Sequence, residues 1–365
     1  KIVNMDGVVR DALTVNQQVI GPTVEATVGD TLLISVTNRC IMQEVISMHW
    51  HGITQKGTPW ADGAAFVTNC PITHGSSYTY NFTADTPGTY WYHVHVGSMR
   101  EEGANGMIVV YSAPSADPAA LVQTPTKFGH LAYDDEIHVM LNDRFTPSVY
   151  LLNTMIDNNP FMKVGKGDTI YINGKGESKY CSYNGTTTVL SNFSSDGTTT
   201  SITSTCKGQR EVFALDRHKT YLVRVVNAAF MAFFNLAIAG HYFTVVGVDG
   251  GTYTQPVDVN SLDLSSGQRV MALLRFNHST VAEHATAPSQ HNTYVMQART
   301  EWEGNDNTHG GFVLAYMTYG DALSITAEDV SPLVPPNESR NWHEWYDLVT
   351  PHADAANACP TDAEV

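Results

Sequence analysis

The feature that most constrains this chain is a recurrence of short apolar or alternating runs: "TLLISV", "SYTYNF", "MIVVY", "DTIYI", "YLVRVV", "RVMALLRF" and "GFVLAYM". Few segments hold a 3.6-residue period for about three turns, so a helical reading is weak. The runs are separated by clusters of Gly, Pro, Asp and Asn, residues that end strands and make turns. The pattern predicts an all-β protein of sandwich or barrel form. Only 15% of residues are charged, while Thr, Val, Tyr and Gly are frequent, which suits half-buried strands.

A chain of 365 residues can hold two domains with proper cores. Residues 30–38, "DTLLISVTN", echo residues 219–227, "KTYLVRVVN". The echo predicts two copies of one β-domain, at residues 1–125 and 126–325. The boundary falls in "SAPSADPAALVQTPTKF", rich in Ala, Pro and Ser. Residues 326–365 are too short for a third domain and read as a tail, with Trp342, Trp345 and Tyr346 placed to dock.

With 20 basic against 36 acidic residues the net charge is −16. That excludes nucleic acid and an anionic membrane as partners, because both require clustered Lys and Arg. No run of eighteen apolar residues exists to span a bilayer. Lys1 in place of an initiator Met, with five sequons at Asn81, Asn184, Asn192, Asn277 and Asn337, points to a mature, secreted glycoprotein. The cysteines are Cys40, Cys70, Cys181, Cys206 and Cys359. In an oxidising compartment Cys181 and Cys206 would staple the polar segment between them. Cys359 would tie the tail to Cys40 or Cys70, and one thiol is left over.

Against this background two segments stand out, "ISMHWHGITQKGTPWADG" and "GTYWYHVHVGS". Each places two histidines one residue apart in a strand-like run: His49 with His51, and His93 with His95. Side chains at i and i+2 of a strand share a face, so each pair projects together while Trp50 and Val94 point the other way. If the two strands approach, four imidazoles converge. Neutral imidazoles without a thiolate favour copper over structural zinc. One such pair alone fits a solvated strand face equally well; two matched pairs in aromatic, Gly-bounded segments favour a metal. The remaining histidines, including His74, His130, His138, His241, His284 and His309, are single and read as surface or satisfied core residues. Asp62, in a Gly-flanked turn, and Glu102 with its neighbour Glu101 are acids near the pairs that could orient a water or pass a proton.

The segments "GPTVEATVGDTLLISVTN", "MHWHGITQKGTPWADGAAFVTNCPI" and "GTYWYHVHVGSMREEGANGMIVVY" resemble the first cupredoxin domain of multicopper oxidases, specifically fungal laccases and ascorbate oxidases. Residues 210–275 resemble, more weakly, the second domain of that family. The resemblance implies two Greek-key cupredoxin-like domains and a copper cofactor. It implies that His49, His51, His93 and His95 supply four of the eight histidines of a three-copper cluster. His49 matches the ligand of the isolated copper, and the other three match those of the coupled pair. It assigns Asp62 to the proton path toward bound dioxygen, gives Glu102 the place of a second acid, and pairs Cys70 with Cys359 near the C-terminus.

The chain departs from the family in one respect. The H-P-x-H-x-H-G and H-C-H segments that complete the cluster and build the thiolate copper site are missing from this sequence, and no cysteine has a neighbouring histidine. The expectation is a secreted laccase-like copper protein with a reduced site, oxidising a phenol-like small molecule with dioxygen. The alternatives are a non-catalytic copper-binding or scaffold protein, or one half of a hetero-oligomeric oxidase. A homo-oligomer would not complete the cluster, because this chain lacks the H-C-H ligands, though assembly as a homo- or hetero-oligomer stays open.

Overall fold

The computed structural model describes residues 1–41, 44–112, 133–145, 148–159, 167–178, 188–193, 199–204, 208–276, 293–300 and 311–320. Cys181, Cys206, Cys359, Asn184, Asn277, Asn337 and the tail lie outside the described residues.

The N-terminal part folds as the short runs require. Its four-stranded sheet has the order Val24–Thr27, Asn105–Tyr111, Gly88–Val94, Met48–His51, and Thr31–Thr37 pairs separately with Ser77–Thr83. Period-2 alternation decides which side chains meet inside. Trp50 is 1% exposed and packs against Tyr80, Phe82 and Tyr92, with ring centroids 5.2, 5.1 and 6.0 Å away. Truncating so large a buried ring costs about 3–5 kcal/mol. The strand carrying the first histidine pair is therefore anchored by the residue between them.

The second part places a seven-stranded sheet against a five-stranded one. In the first, Thr220–Asn227 is central, parallel to Asp135–Arg144 and antiparallel to Arg269–Arg275. In the second, Phe312–Tyr319, Thr293–Thr300 and Phe234–Ile238 lie side by side. One apolar cluster joins the inner faces of both, including Val223, Val225, Phe234, Leu236, Met296 and Val313. Among the described residues one helix stands out, Val149–Asn158, and none is long and apolar enough to cross a membrane.

A small buried cluster closes the seam between the two parts: Trp91, Met107 and Val109 from one side, Met140, Val226 and Ala228 from the other. Arginines latch it. Arg100 donates to the Ala229 and Phe230 carbonyls at 3.2 and 3.0 Å. Arg269 donates to the Thr89 carbonyl at 3.1 Å, and Arg224 to Thr89 Oγ1 at 3.0 Å. Arg224 is held in turn by Glu136, through bonds of 2.7 and 2.8 Å. A planar guanidinium that meets several acceptors at once suits such a junction.

Candidate metal centre

The Met48–His51 and Gly88–Val94 strands are antiparallel neighbours, and their register sets His49 directly opposite His93. The pairing continues past the strand end, where His95 N–H donates to the Ser47 carbonyl at 2.8 Å. Two i, i+2 pairs on adjacent strands in this register must present four imidazoles on one face. Ring centroids of His49 stand 5.6, 5.3 and 5.2 Å from those of His51, His93 and His95. Donor nitrogens of His49, His51 and His93 all lie within 4.8 Å of one another, the one such group among the described residues. His95 stands outside that tight set, exposed, with its ring stacked 5.7 Å from His93.

Backbone contacts orient two of the rings. His49 Nδ1 lies 2.8 Å from the Asp62 carbonyl, and His93 Nδ1 lies 2.9 Å from the Val94 carbonyl. A carbonyl only accepts, so both Nδ1 atoms carry the proton and both Nε2 atoms keep a lone pair. For His93 that Nε2 is buried and has no hydrogen-bond partner. An unpartnered imidazole lone pair beside two more imidazoles fits a metal that takes nitrogen ligands. The electrostatics agree with the geometry. Burial lowers the pKa of His49, drives that of His93 well below its ordinary value, and brings His51 down to about 3. Arg269 and Arg100 add to the effect on His51. Neutral imidazole is the form that binds metal.

Asp62 reaches this place through a turn that needs glycine. Gly63 has φ +81°, and a Cβ there would stand 1.7 Å from the Met48 carbonyl oxygen. Close packing of the turn on the histidine strand sets Asp62 Oδ1 3.3 Å from His49 Nδ1. Glu102 goes elsewhere: Arg144 holds its carboxylate at 2.6 Å, in the seam. Cys40 and Cys70 carry no bridge among the described residues. Asn81 is exposed on the Ser77–Thr83 strand, and Asn192 lies on the Thr188–Phe193 strand. Of the single histidines, His241 is a satisfied core residue, His138 meets Glu136 at 3.4 Å, and His74 bonds the Cys40 carbonyl at 2.9 Å.

Sequence reasoning missed the surroundings of the imidazoles. Trp91 is fully buried, stacking on His51 at 5.0 Å and packing 4.3 Å from His93. The Arg100 guanidinium stands 5.8 Å from the centre of the Trp91 ring. Gly267, from the second part, leaves room for His51, whose Cε1 would lie 3.0 Å from a Cβ at that position. Trp91 had a signal, being two residues before His93. Arg269 and Gly267 had none, since only folding brings them near His51.

Comparison with known proteins places these features. Residues 1–115 and residues 139–322 each match a family model described as "Multicopper oxidase". An L-ascorbate oxidase from Cucurbita pepo var. melopepo is 33% identical over 333 residues, covering 91% of this chain and 53% of that protein. Laccase-6 from Oryza sativa subsp. japonica is 32% identical over 345 residues, covering 92% of this chain and 52% of that protein. The fold is shared with a solved laccase from Botrytis aclada, with TM-score 0.67 and 23% identity, covering 92% of this chain and 53% of that one. The chain thus spans about half the length of the relatives it matches. Two cupredoxin-like β-domains and family models over most of the described residues lead to one conclusion: this chain belongs to the multicopper oxidase family.

Proposed function

We propose that this chain is a copper-dependent oxidoreductase unit that oxidises a phenol-like small molecule with dioxygen as electron acceptor. His49, His51, His93 and His95 hold the copper. The observation that carries the reading is the buried, unpartnered Nε2 of His93 among neighbouring imidazoles. Copper, when bound, supplies the redox chemistry between reductant and dioxygen. The chain's own residues do the rest. The Asp62 and Val94 carbonyls fix two rings in the tautomer that leaves Nε2 available. Trp91 covers one side of the site and excludes water from it. The Asp62 carboxylate, partly open to solvent beside His49, holds or passes a proton there. Glu102, bound to Arg144, acts by positioning the seam. The sequons support a secreted protein working outside the cell.

A second reading has its own observation. His95 is exposed at the edge of the cluster, where ligands from another polypeptide segment could complete a larger site. Metal analysis and EPR on the purified chain, with oxygen uptake on a phenol, separate the readings. Bound copper and turnover by the chain alone support the first. Copper taken up only after a second laccase-like chain is added supports the second. A chain that binds no copper under either condition overturns both.

A further inference from the structure

A pocket of about 370 Å³, counting its mouth, opens in the seam, where Arg100, Glu101 and Asn105 of the first part face Asn142, Asp143 and Arg144 of the second. The cavity at its base has a volume of about 20 Å³. A water needs at least about 10–15 Å³, so the cavity has room for one. Four polar atoms of the lining residues are buried without a hydrogen-bond partner: Arg100 Nε, Glu101 Oε2, Asn105 Oδ1 and Asn142 Oδ1. Glu101, Asn105 and Asn142 are 4%, 2% and 9% exposed. Their charged neighbours are already engaged. Asp143 accepts the N–H groups of Phe230, Met231 and Ala232 at 2.6, 3.1 and 2.9 Å. Arg144 is taken by Glu102 and the Asp11 carbonyl. Buried polar atoms are satisfied by protein or by ordered water, and four unmet ones around one small cavity point to water.

We propose that the seam cavity binds one ordered water on these four atoms, and that Glu101 enters the site as a neutral acid donating from Oε2. The count of donors and acceptors requires it. Arg100 Nε–H can only donate, and the two asparagine oxygens can only accept. A water that donates to Asn105 and Asn142 and accepts from Arg100 has one lone pair left. An ionised Glu101 would set a second acceptor against that lone pair, whereas an O–H completes the four bonds. The proton belongs on Oε2, because Oε1 already accepts the Phe145 N–H at 2.9 Å. The charges facing the group act in the same sense. Burial first, then Glu102 and, more weakly, Asp143, raise the Glu101 pKa to about 8, against the opposing pull of the Phe145 N–H and Arg144. In the unfolded chain Glu ionises near about 4.3. Between those values the folded state holds the extra proton. This contribution to stability is complete below about 4.3, falls up to tenfold in the folding constant per pH unit, and is gone above about 8.

The test uses the full chain and needs no metal, so it stands apart from the proposed oxidase activity. Infrared difference spectra of wild type against Glu101→Gln at pH ~6.5 should show a protonated-carboxyl band that the variant lacks. In wild type that band should titrate away near about 8. A high-resolution crystal structure should show one water within about 2.7–3.2 Å of all four atoms. Glu101→Gln, whose amide N–H replaces the acid O–H, should keep the water and flatten the stability slope by one proton. A dry cavity, a cation in it, no protonated-carboxyl band, or an unchanged slope in the variant overturns the proposal. If the variant does not fold, the wild-type crystal structure decides, and a dry cavity or a cation in it overturns the proposal.

Discussion

His93 and His241 are buried to the same degree, at 3% and 5% exposure, and burial lowers the pKa of both. Their partners differ. His241 gives Nδ1–H to the Ala239 carbonyl at 2.8 Å and receives Tyr319 O–H on Nε2 at 3.0 Å, among the rings of Phe276, Tyr294 and Tyr319. His93 also satisfies Nδ1 on a carbonyl, but its Nε2 meets no partner and lies among imidazoles. The difference teaches that neither burial nor a lowered pKa marks a ligand histidine. An unspent lone pair beside similar groups is what separates His93 from His241.

The sharpest way to break that comparison is to exchange the losses. His93→Ala should reduce copper affinity by at least about a hundredfold, since even supporting residues around a metal cost 10–100-fold. Copper titration by calorimetry checks this, and unchanged affinity would end the ligand assignment. Substituting the echo strands comes next. Leu222→Ala, at a residue 3% exposed, should cost about 2–5 kcal/mol in urea unfolding. His241→Phe should cost about 1–3 kcal/mol, because it leaves the Tyr319 hydroxyl without its acceptor, while copper affinity stays at the wild-type value. A loss of copper there would show that the second domain holds metal after all.

Acid provides a gentler probe. His51 titrates near 3 in the fold against about 6.5 unfolded. Between those values the unfolded chain binds one more proton at this group, so His51's share of metal-free stability is full above about 6.5 and declines as pH falls toward 3, by up to about 1.4 kcal/mol per pH unit. His51→Gln should lessen the slope of urea midpoints across that range by one proton, leaving the share that buried His49, His93 and His241 contribute. The smallest effect belongs to Leu33, at the position matching Leu222 in the sequence echo but 67% exposed. Leu33→Ala should change stability by less than about 0.5 kcal/mol.

Most of the candidate site was legible because strand periodicity is local. Period 2 put His49 with His51, His93 with His95, and Trp50 on the opposite side, without knowledge of any other strand. The surroundings were not legible, because they come from afar in the chain. Arg269 reaches the Thr89 carbonyl across 180 residues, and nothing in "SSGQRV" marks it as a neighbour of His51. Glu102 shows the converse. Its place in the sequence suggests an acid near the histidines, but Arg144, 42 residues on, takes its carboxylate.

The sequence by itself determined that this chain is built of strands, that two of them carry histidines on a single face, and that Trp50 points away from the first pair. Tertiary structure decided the register that sets His49 against His93, and which imidazole nitrogen is left unpaired. It also decided the unequal fates of the two echo strands. Thr31–Thr37 pairs with one strand and alternates between exposed and half-buried residues, while Thr220–Asn227 lies between two strands and is buried almost throughout. The reason is physical: a strand's own residues fix which side chains share a face, but only its neighbours determine whether that face meets water, a core or another imidazole.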